Sequence, residues 1–365
     1  MQAHICLMGL FDRTALAAGR ARYAAAQGLR SAWYGAQMRA AKSRTTGFHR
    51  PDTPDFAPER GKPDMARLRK AYFELFIQDR RNVEAGLYPP PRDVSIAHLP
   101  HALKSARAFQ ADVEAVERRR QARNGTEVQG ELPEGSNRYP DYYRQNFHYQ
   151  TGGWFSDESA ALYDTQVEAL FTGTANAMRR AALAEIAREL KGCDQRKVSL
   201  LDVACGNGRF LKTVMNVWPR LKAAGLDLSP NYTEAARTRL ARWPQVEVFH
   251  EAAEAMPLAE ASQDIVVSIF LFHELPPEVR GRVLAEVFRV LRPGGLFVLA
   301  DSVQFGDYEG MDGLLEYFPH GFHEPYYNSY LSWNVTAAAE AEGFAKERET
   351  LAFLTKVTVW RRPEL

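Results

Sequence analysis

The residues best suited to chemistry lie in the second half of a 365-residue chain. In the run Leu200-Leu201-Asp202-Val203-Ala204-Cys205-Gly206-Asn207-Gly208-Arg209-Phe210, glycines directly follow an apolar segment and directly precede a helical one. A glycine turn in that place lets a ligand approach the backbone closely. Asp227 closes the next apolar segment, nineteen residues after Gly208. There a carboxylate can accept hydrogen bonds from both hydroxyls of a ribose. Both features point to a nucleoside. A dinucleotide is the rival ligand, but its fingerprint asks for a third glycine where Leu211 stands.

Such residues need a parallel sheet to position them. From residue 198 onward, short apolar runs alternate with helical segments, which predicts an α/β fold. Strands are expected at 198–203, 223–228, 246–249, 264–272 and 296–301, with helices at 210–217, 230–240 and 277–291 between them. Ser229 is placed to cap the second helix, with Pro230 at its first position. A helix at 336–342, a stop at Gly343 and a hairpin within 347–360 close the chain. Residues 1–138 read as a mainly helical N-terminal extension and linker. Leu68, Tyr72, Leu75 and Phe76 recur there at helical spacing, and Pro-rich breaks fall at 51–63 and 89–91.

The stretch around Asp202 resembles motif I of the class I, seven-strand, Rossmann-like S-adenosylmethionine-dependent methyltransferases. The resemblance covers roughly residues 146–362, within a catalytic domain expected at 139–365. It implies that Asp202, Gly206 and Gly208 meet the methionine end of S-adenosyl-L-methionine, that Asp227 holds the ribose, and that Ala204 and Leu228 also belong to the cofactor site. Ala252-Ala253-Glu254-Ala255-Met256-Pro257 resembles the adenine-binding loop, and Leu291-Arg292-Pro293-Gly294-Gly295 the turn before the fifth strand. Related sequences carry an acid where Ala252 stands, so the adenine contacts fall to Glu251 and to the backbone of Ala252 and Ala253.

Methyl transfer from a sulfonium is an in-line displacement that asks the protein mainly for alignment, desolvation and a base. Residues just after the fourth strand face the ligand in a parallel fold. This places His273 to take a proton and Glu274 to orient it or to bind a cationic acceptor, the alternative being that the pair caps the following helix. An aromatic and imidazole-rich insert at about 303–331 supplies His320, His323, Tyr326, Tyr327 and Tyr330 for the acceptor pocket. Tyr149 belongs to a second aromatic stretch, with Tyr143, His148 and Trp154 among its members, expected to act as a lid. The alternative for both stretches is packing of the extension against the sheet. His320, His323, Glu324 and His273 offer metal-ligand chemistry, but His-x-x-His on an irregular segment is a weak signal and no metal is expected.

Composition sets the outer bounds. A formal charge of +1 provides no global field for nucleic acid or anionic membrane. Three scattered cysteines imply a reducing compartment. No apolar run approaches the roughly 20 residues that span a bilayer, so a cytoplasmic protein is expected. The acid-free, Arg-rich stretch from Arg13 to Arg50 has the composition of a targeting peptide, or of a basic helix on an acidic surface. The expected acceptor is a small apolar or aromatic molecule. The alternatives are a protein or RNA substrate, and a non-catalytic, cofactor-binding regulatory protein. The sequence leaves oligomeric state open.

Overall fold

A computed structural model describes residues 2–45, 56–94, 99–132 and 139–364, with residues 2–13 and 131 described through their backbone alone. Part of the first Pro-rich break and the end of the linker lie outside the described residues. The extension contributes α1 (Gln2–Thr45), α2 (Met65–Glu84), α3 (Leu99–Ala122) and the short α4 (Val128–Glu131). After it come α5 (Asp157–Leu170), α6 (Ala175–Glu189), β1 (Ser199–Val203), α7 (Arg209–Val217), β2 (Lys222–Asp227), α8 (Pro230–Leu240), β3 (Val246–His250) and β4 (Gln263–Ile269). The chain continues through α9 (Pro277–Val290), β5 (Leu291–Ser302), α10 (Asp312–Gly321), α11 (Tyr327–Leu331), α12 (Val335–Ala341), β6 (Ala345–Ala352) and β7 (Thr355–Arg361).

Seven strands form one sheet in the order β3-β2-β1-β4-β5-β7-β6. The first five are parallel, and β7 runs antiparallel to both its neighbours, β5 and β6. Leu200, Leu201, Val203, Val266 and Val267 are fully buried because helices cover both faces, and this is why the strands read as continuous apolar runs rather than alternating ones. Strand β5 begins earlier than expected, at Leu291. The Arg292-Pro293-Gly294-Gly295 turn is a bulge within it, between the Gln263–Leu291 and Ile265–Leu296 pairs.

Local chemistry sets the helix ends. The Ser229 hydroxyl accepts from the Tyr232 amide at 3.0 Å, with Pro230 at the first position of α8. Asp64 caps α2 by accepting from Ala66 and Arg67 at 2.8 and 3.0 Å. Gly208 starts α7 in a left-handed conformation, φ 74°. A Cβ there would stand 3.1 Å from both Ala236 and Leu240 of α8, so this glycine lets two helices meet.

The extension shares the core of the sheet. Ala71, Leu75 and Tyr88 lie in one buried cluster with Met178, Leu200 and Ile265. Buried charge fixes that contact. Arg180 of α6 donates to both oxygens of Asp79 in α2 at 2.8 and 2.7 Å, and to Asp93 at 2.8 Å. The Tyr23 hydroxyl of α1 also bonds Asp79, and Arg30 of α1 pairs with Glu168 of α5. Truncating Arg180 takes from two buried carboxylates the cation they share, leaving Asp79 with the Tyr23 and Tyr88 hydroxyls and Asp93 with the Asn176 side-chain amide. Arg180→Ala should therefore cost about 3–5 kcal/mol in denaturant unfolding and expose α1 and α2 to limited proteolysis. Unchanged stability and protease resistance would show that the extension docks without this network.

Candidate functional site

At the carboxyl edge of β1, Ala204 and Gly206 adopt left-handed backbone angles, φ 60° and 55°. The Gly206 amide donates to Asp227 Oδ2 at 2.8 Å and the Ser229 amide to Oδ1 at 2.9 Å. Each carboxylate oxygen keeps room for a further donor. Burial raises the Asp227 pKa to about 6 even though these backbone amides pull it down. Gly225 is also required, since a Cβ there would lie 2.7 Å from Cys205 Sγ. Asp202, 1% exposed, keeps an unpartnered Oδ2. Burial, then the charge of Asp227, holds its pKa far above the ordinary carboxylate range, with Arg179 of α6 acting against both. Arg179 is buried and keeps an unpartnered Nη1.

A cavity of about 800 Å³, counting its open mouth, begins at this turn. Ala204, Gly206, Asp227, Leu228, Ala253 and Glu254 form its floor, while Phe270, Leu271, Glu274 and Leu275 form the wall beyond β4. Tyr142, Tyr143, Phe147 and Trp154 from the segment before α5, with Tyr163 of α5 and Tyr232 of α8, roof it. The roof is pinned. Tyr142 donates to Glu254 at 2.7 Å, the Ser229 hydroxyl donates to the Trp154 carbonyl at 2.5 Å, and Trp154 packs edge-on against Tyr232 at 5.4 Å. The volume is that of a small-molecule site. Its lining fits a nucleoside, with Asp227 for ribose hydroxyls and Leu228, Ala253 and Leu275 for a base, while outside the lining the orphaned Asp202 Oδ2 and Arg179 Nη1 offer partners for the ammonium and carboxylate of an amino-acid arm.

Next to this wall, Asp301 at the end of β5 organises the turn after β4. Its carboxylate, 1% exposed, accepts from the amides of Phe272 and Ser302, each at 2.7 Å, and holds His273 Nδ1 at 2.5 Å. Burial alone would lower the His273 pKa, but Asp301, with Glu274 and Glu324 adding, raises it to about 9. The buried Arg280 of α9 donates to the Phe272 carbonyl at 2.9 Å and the Tyr326 carbonyl at 2.8 Å, tying the turn to the insert.

Glu274 Oε1 lies 3.0 Å from His148 Nε2, and His148 Nδ1 lies 2.8 Å from Glu324 Oε1. Burial opposes charge on that ring too, yet Glu324 and Glu274 prevail and raise its pKa well above the usual imidazole value. His148 and Tyr149 occupy left-handed angles, φ 55° and 58°, a strained backbone for residues other than glycine.

The sequence-derived candidates divide clearly. Ala204, Gly206, Asp227, Leu228, Ala253 and Glu274 lie in the cavity wall. Asp202 and Gly208 lie outside the wall, and Glu251 is exposed beside the half-buried Ala252. Glu254, three residues on from Glu251, is the carboxylate that reaches the cavity. His273 touches Asp301, Tyr327 and Tyr330 instead of the cavity. The expectation that it takes the acceptor's proton is disfavoured, because its Nδ1 is committed to Asp301 and the surrounding carboxylates raise its pKa to about 9.

The insert residues also turn away from the cavity. Tyr327 and Tyr330 bond Ser302 at 2.7 and 2.8 Å, Tyr326 accepts from Gln145 at 3.2 Å, and His323 Nε2 lies 2.8 Å from Gln145 Oε1. Tyr149 packs on His323, and His320 stacks on Phe56. Their rings bury against one another and against the extension. Sequence reasoning missed Arg179, Asp301 and Arg280, which sit in ordinary helical and strand patterns, and named His148, Trp154 and Tyr143 only as part of an aromatic stretch.

Comparison with known proteins identifies a methyltransferase domain in this part of the chain. Residues 200–295 match the family model described as a methyltransferase domain. The chain is 34% identical over 140 residues to a demethylmenaquinone methyltransferase of Chlorobaculum parvum, covering 38% of this chain and 54% of that one. It is 35% identical over 119 residues to a malonyl-[acyl-carrier protein] O-methyltransferase of Hahella chejuensis, covering 32% and 39%. It is 34% identical over 118 residues to a tRNA N(3)-methylcytidine methyltransferase of Drosophila melanogaster, covering 30% and 35%. The chain thus spans about half or less of these relatives. With its glycine turn, the Asp227 carboxylate and a seven-stranded sheet ending in an antiparallel strand, the region matched at 200–295 is a methyltransferase domain of the class I, Rossmann-like, S-adenosylmethionine-dependent kind.

Proposed function

We propose that the protein transfers a methyl group from S-adenosyl-L-methionine to a small, apolar or aromatic molecule. The observation that carries this reading is the aromatic roof, six rings closing a cavity whose floor ends in Asp227. A roofed, largely apolar chamber suits a small acceptor, whereas an RNA or protein substrate asks for an open approach. The match to a tRNA methyltransferase favours RNA as the second reading, and the first two relatives' names favour small or carrier-bound acceptors.

When bound, the cofactor supplies an electrophilic methyl on a sulfonium. Asp227 would hold the ribose, while Asp202 and Arg179 would hold the amino-acid arm. The aromatic roof excludes water and aligns the acceptor. Glu274, the carboxylate in the wall, would take up the proton that the acceptor gives up on methylation. His273, held by Asp301 with Nε2 at 3.6 Å from Glu274 Oε1, is a positioning residue that keeps positive charge beside it.

Calorimetry with S-adenosylmethionine and its demethylated product tests the cofactor. Asp227→Ala should weaken binding by about 1.5–3 kcal/mol, the loss of charged hydrogen bonds to two hydroxyls. Binding of a nicotinamide dinucleotide in place of either ligand would overturn the assignment. The pH dependence has a definite sign. The ionised Asp227 is the better acceptor and its folded pKa is raised to about 6, so affinity should be full above that value and fall as pH drops through it. Between about pH 7 and about pH 5 the loss should be roughly tenfold, and Asp227→Asn should flatten it.

Turnover separates the acceptor classes. Radiolabelled methyl should enter the small-molecule fraction of a cell extract, not its RNA or protein. Glu274→Gln should lower kcat by at least about 100-fold while cofactor affinity changes little. Label found only in RNA would establish the second reading, and a Glu274→Gln enzyme of undiminished kcat would remove this carboxylate from the proton's path.

A further inference from the structure

We propose that His148, Glu274 and Glu324 form a binding site for one divalent transition-metal ion of the zinc or manganese class, set just behind the wall of the cavity. The three residues come from separate segments: the stretch before α5, the turn after β4 and the insert before α11. One potential ligand atom from each lies within 4.8 Å of the other two. One imidazole nitrogen with two carboxylates is a donor set that first-row transition ions accept, whereas magnesium and calcium prefer oxygen alone.

Two orphaned atoms point to a missing ligand. Glu324 is 6% exposed, and its Oε2 has no hydrogen-bond partner. Oε2 of Glu274 is likewise buried and unpartnered. A buried carboxylate oxygen without a donor is costly, so its persistence calls for an explanation. An ion bound there would take one ring nitrogen of His148 as ligand, that nitrogen giving up its proton.

Size decides between an ion and an organic cation. Glu274 lines the cavity, but His148 and Glu324 do not. An ammonium group on a substrate in the cavity would therefore meet one member of the cluster, whereas an ion can reach all three. His320 and His323, the imidazoles that the sequence pairs with Glu324, are placed elsewhere, on Phe56 and on Gln145.

The test uses the full chain, stripped with a chelator and dialysed against zinc or manganese alone. Metal analysis should find one equivalent of zinc, and bound manganese should lose its free-ion resonance signal. Glu324→Gln and His148→Gln should each weaken uptake roughly 10- to 100-fold or more, while Cys193→Ser, at an exposed thiol away from the cluster, should leave it unchanged. Circular dichroism in chelator checks that each variant is folded, and the two variants cover for one another if one is not. Binding of S-adenosylhomocysteine, measured on the same samples, separates failure of this site from failure of the methyltransferase reading. Wild-type chain that takes up no more metal than the variants overturns the proposal. So does Glu324-dependent binding of tetramethylammonium without metal uptake.

Discussion

A carboxylate buried as deeply as Asp301 is stable only if donors surround it, and the donors it recruits shape the reactive end of the molecule. Strand β5 delivers it to the carboxyl edge of the sheet beside the turn leaving β4. There it takes the Phe272 amide and the His273 ring together. That capture orients Glu274 into the cavity wall and turns His273 away from it. Arg280 locks the same turn from below and carries the insert with it. Parallel pairing of β4 and β5 is thus a precondition for the chemistry, since it brings residues about thirty positions apart within hydrogen-bond reach.

The extension is held by an analogous device on the opposite face. Arg180 and Asp79 are both almost wholly buried, and Tyr23 and Tyr88 complete the hydrogen bonding of the carboxylate. Such pairs add little net stability over apolar substitutes but penalise any other docking, because each alternative leaves a charge in the core. The orientation of α1 and α2 on α6 is specified accordingly. From there the chain returns through α3 and the 142–155 segment to the mouth of the cavity, where its aromatic side chains form the roof.

The site therefore has two sources. Its floor belongs to the sheet, with Asp227 and the glycine turn at its carboxyl edge. Five of the six roof rings and one member of the buried imidazole–carboxylate cluster come from chain that precedes the matched region, 200–295, and Tyr232 alone of the roof lies within it.

Much of the fold was legible in residue order alone, because its signals are local. Buried parallel strands read as apolar runs, Ser229-Pro230 announces a helix start, and a glycine turn after a strand needs no distant partner to be recognised. The sequence by itself thus determined the seven-stranded sheet, the closing hairpin and the Asp227 and Gly206 floor. Tertiary structure alone decided the rest. Asp301 and Arg179 look like any strand and helix residues until the strands are set side by side, and His148 becomes part of the site only when left-handed backbone and a folded extension bring it between Glu274 and Glu324. Which rings face the cavity is likewise invisible to composition. An aromatic side chain buries equally well against a ligand or a neighbouring ring, and only packing assigned Tyr142 and Trp154 to the first role and Tyr327 and Tyr330 to the second.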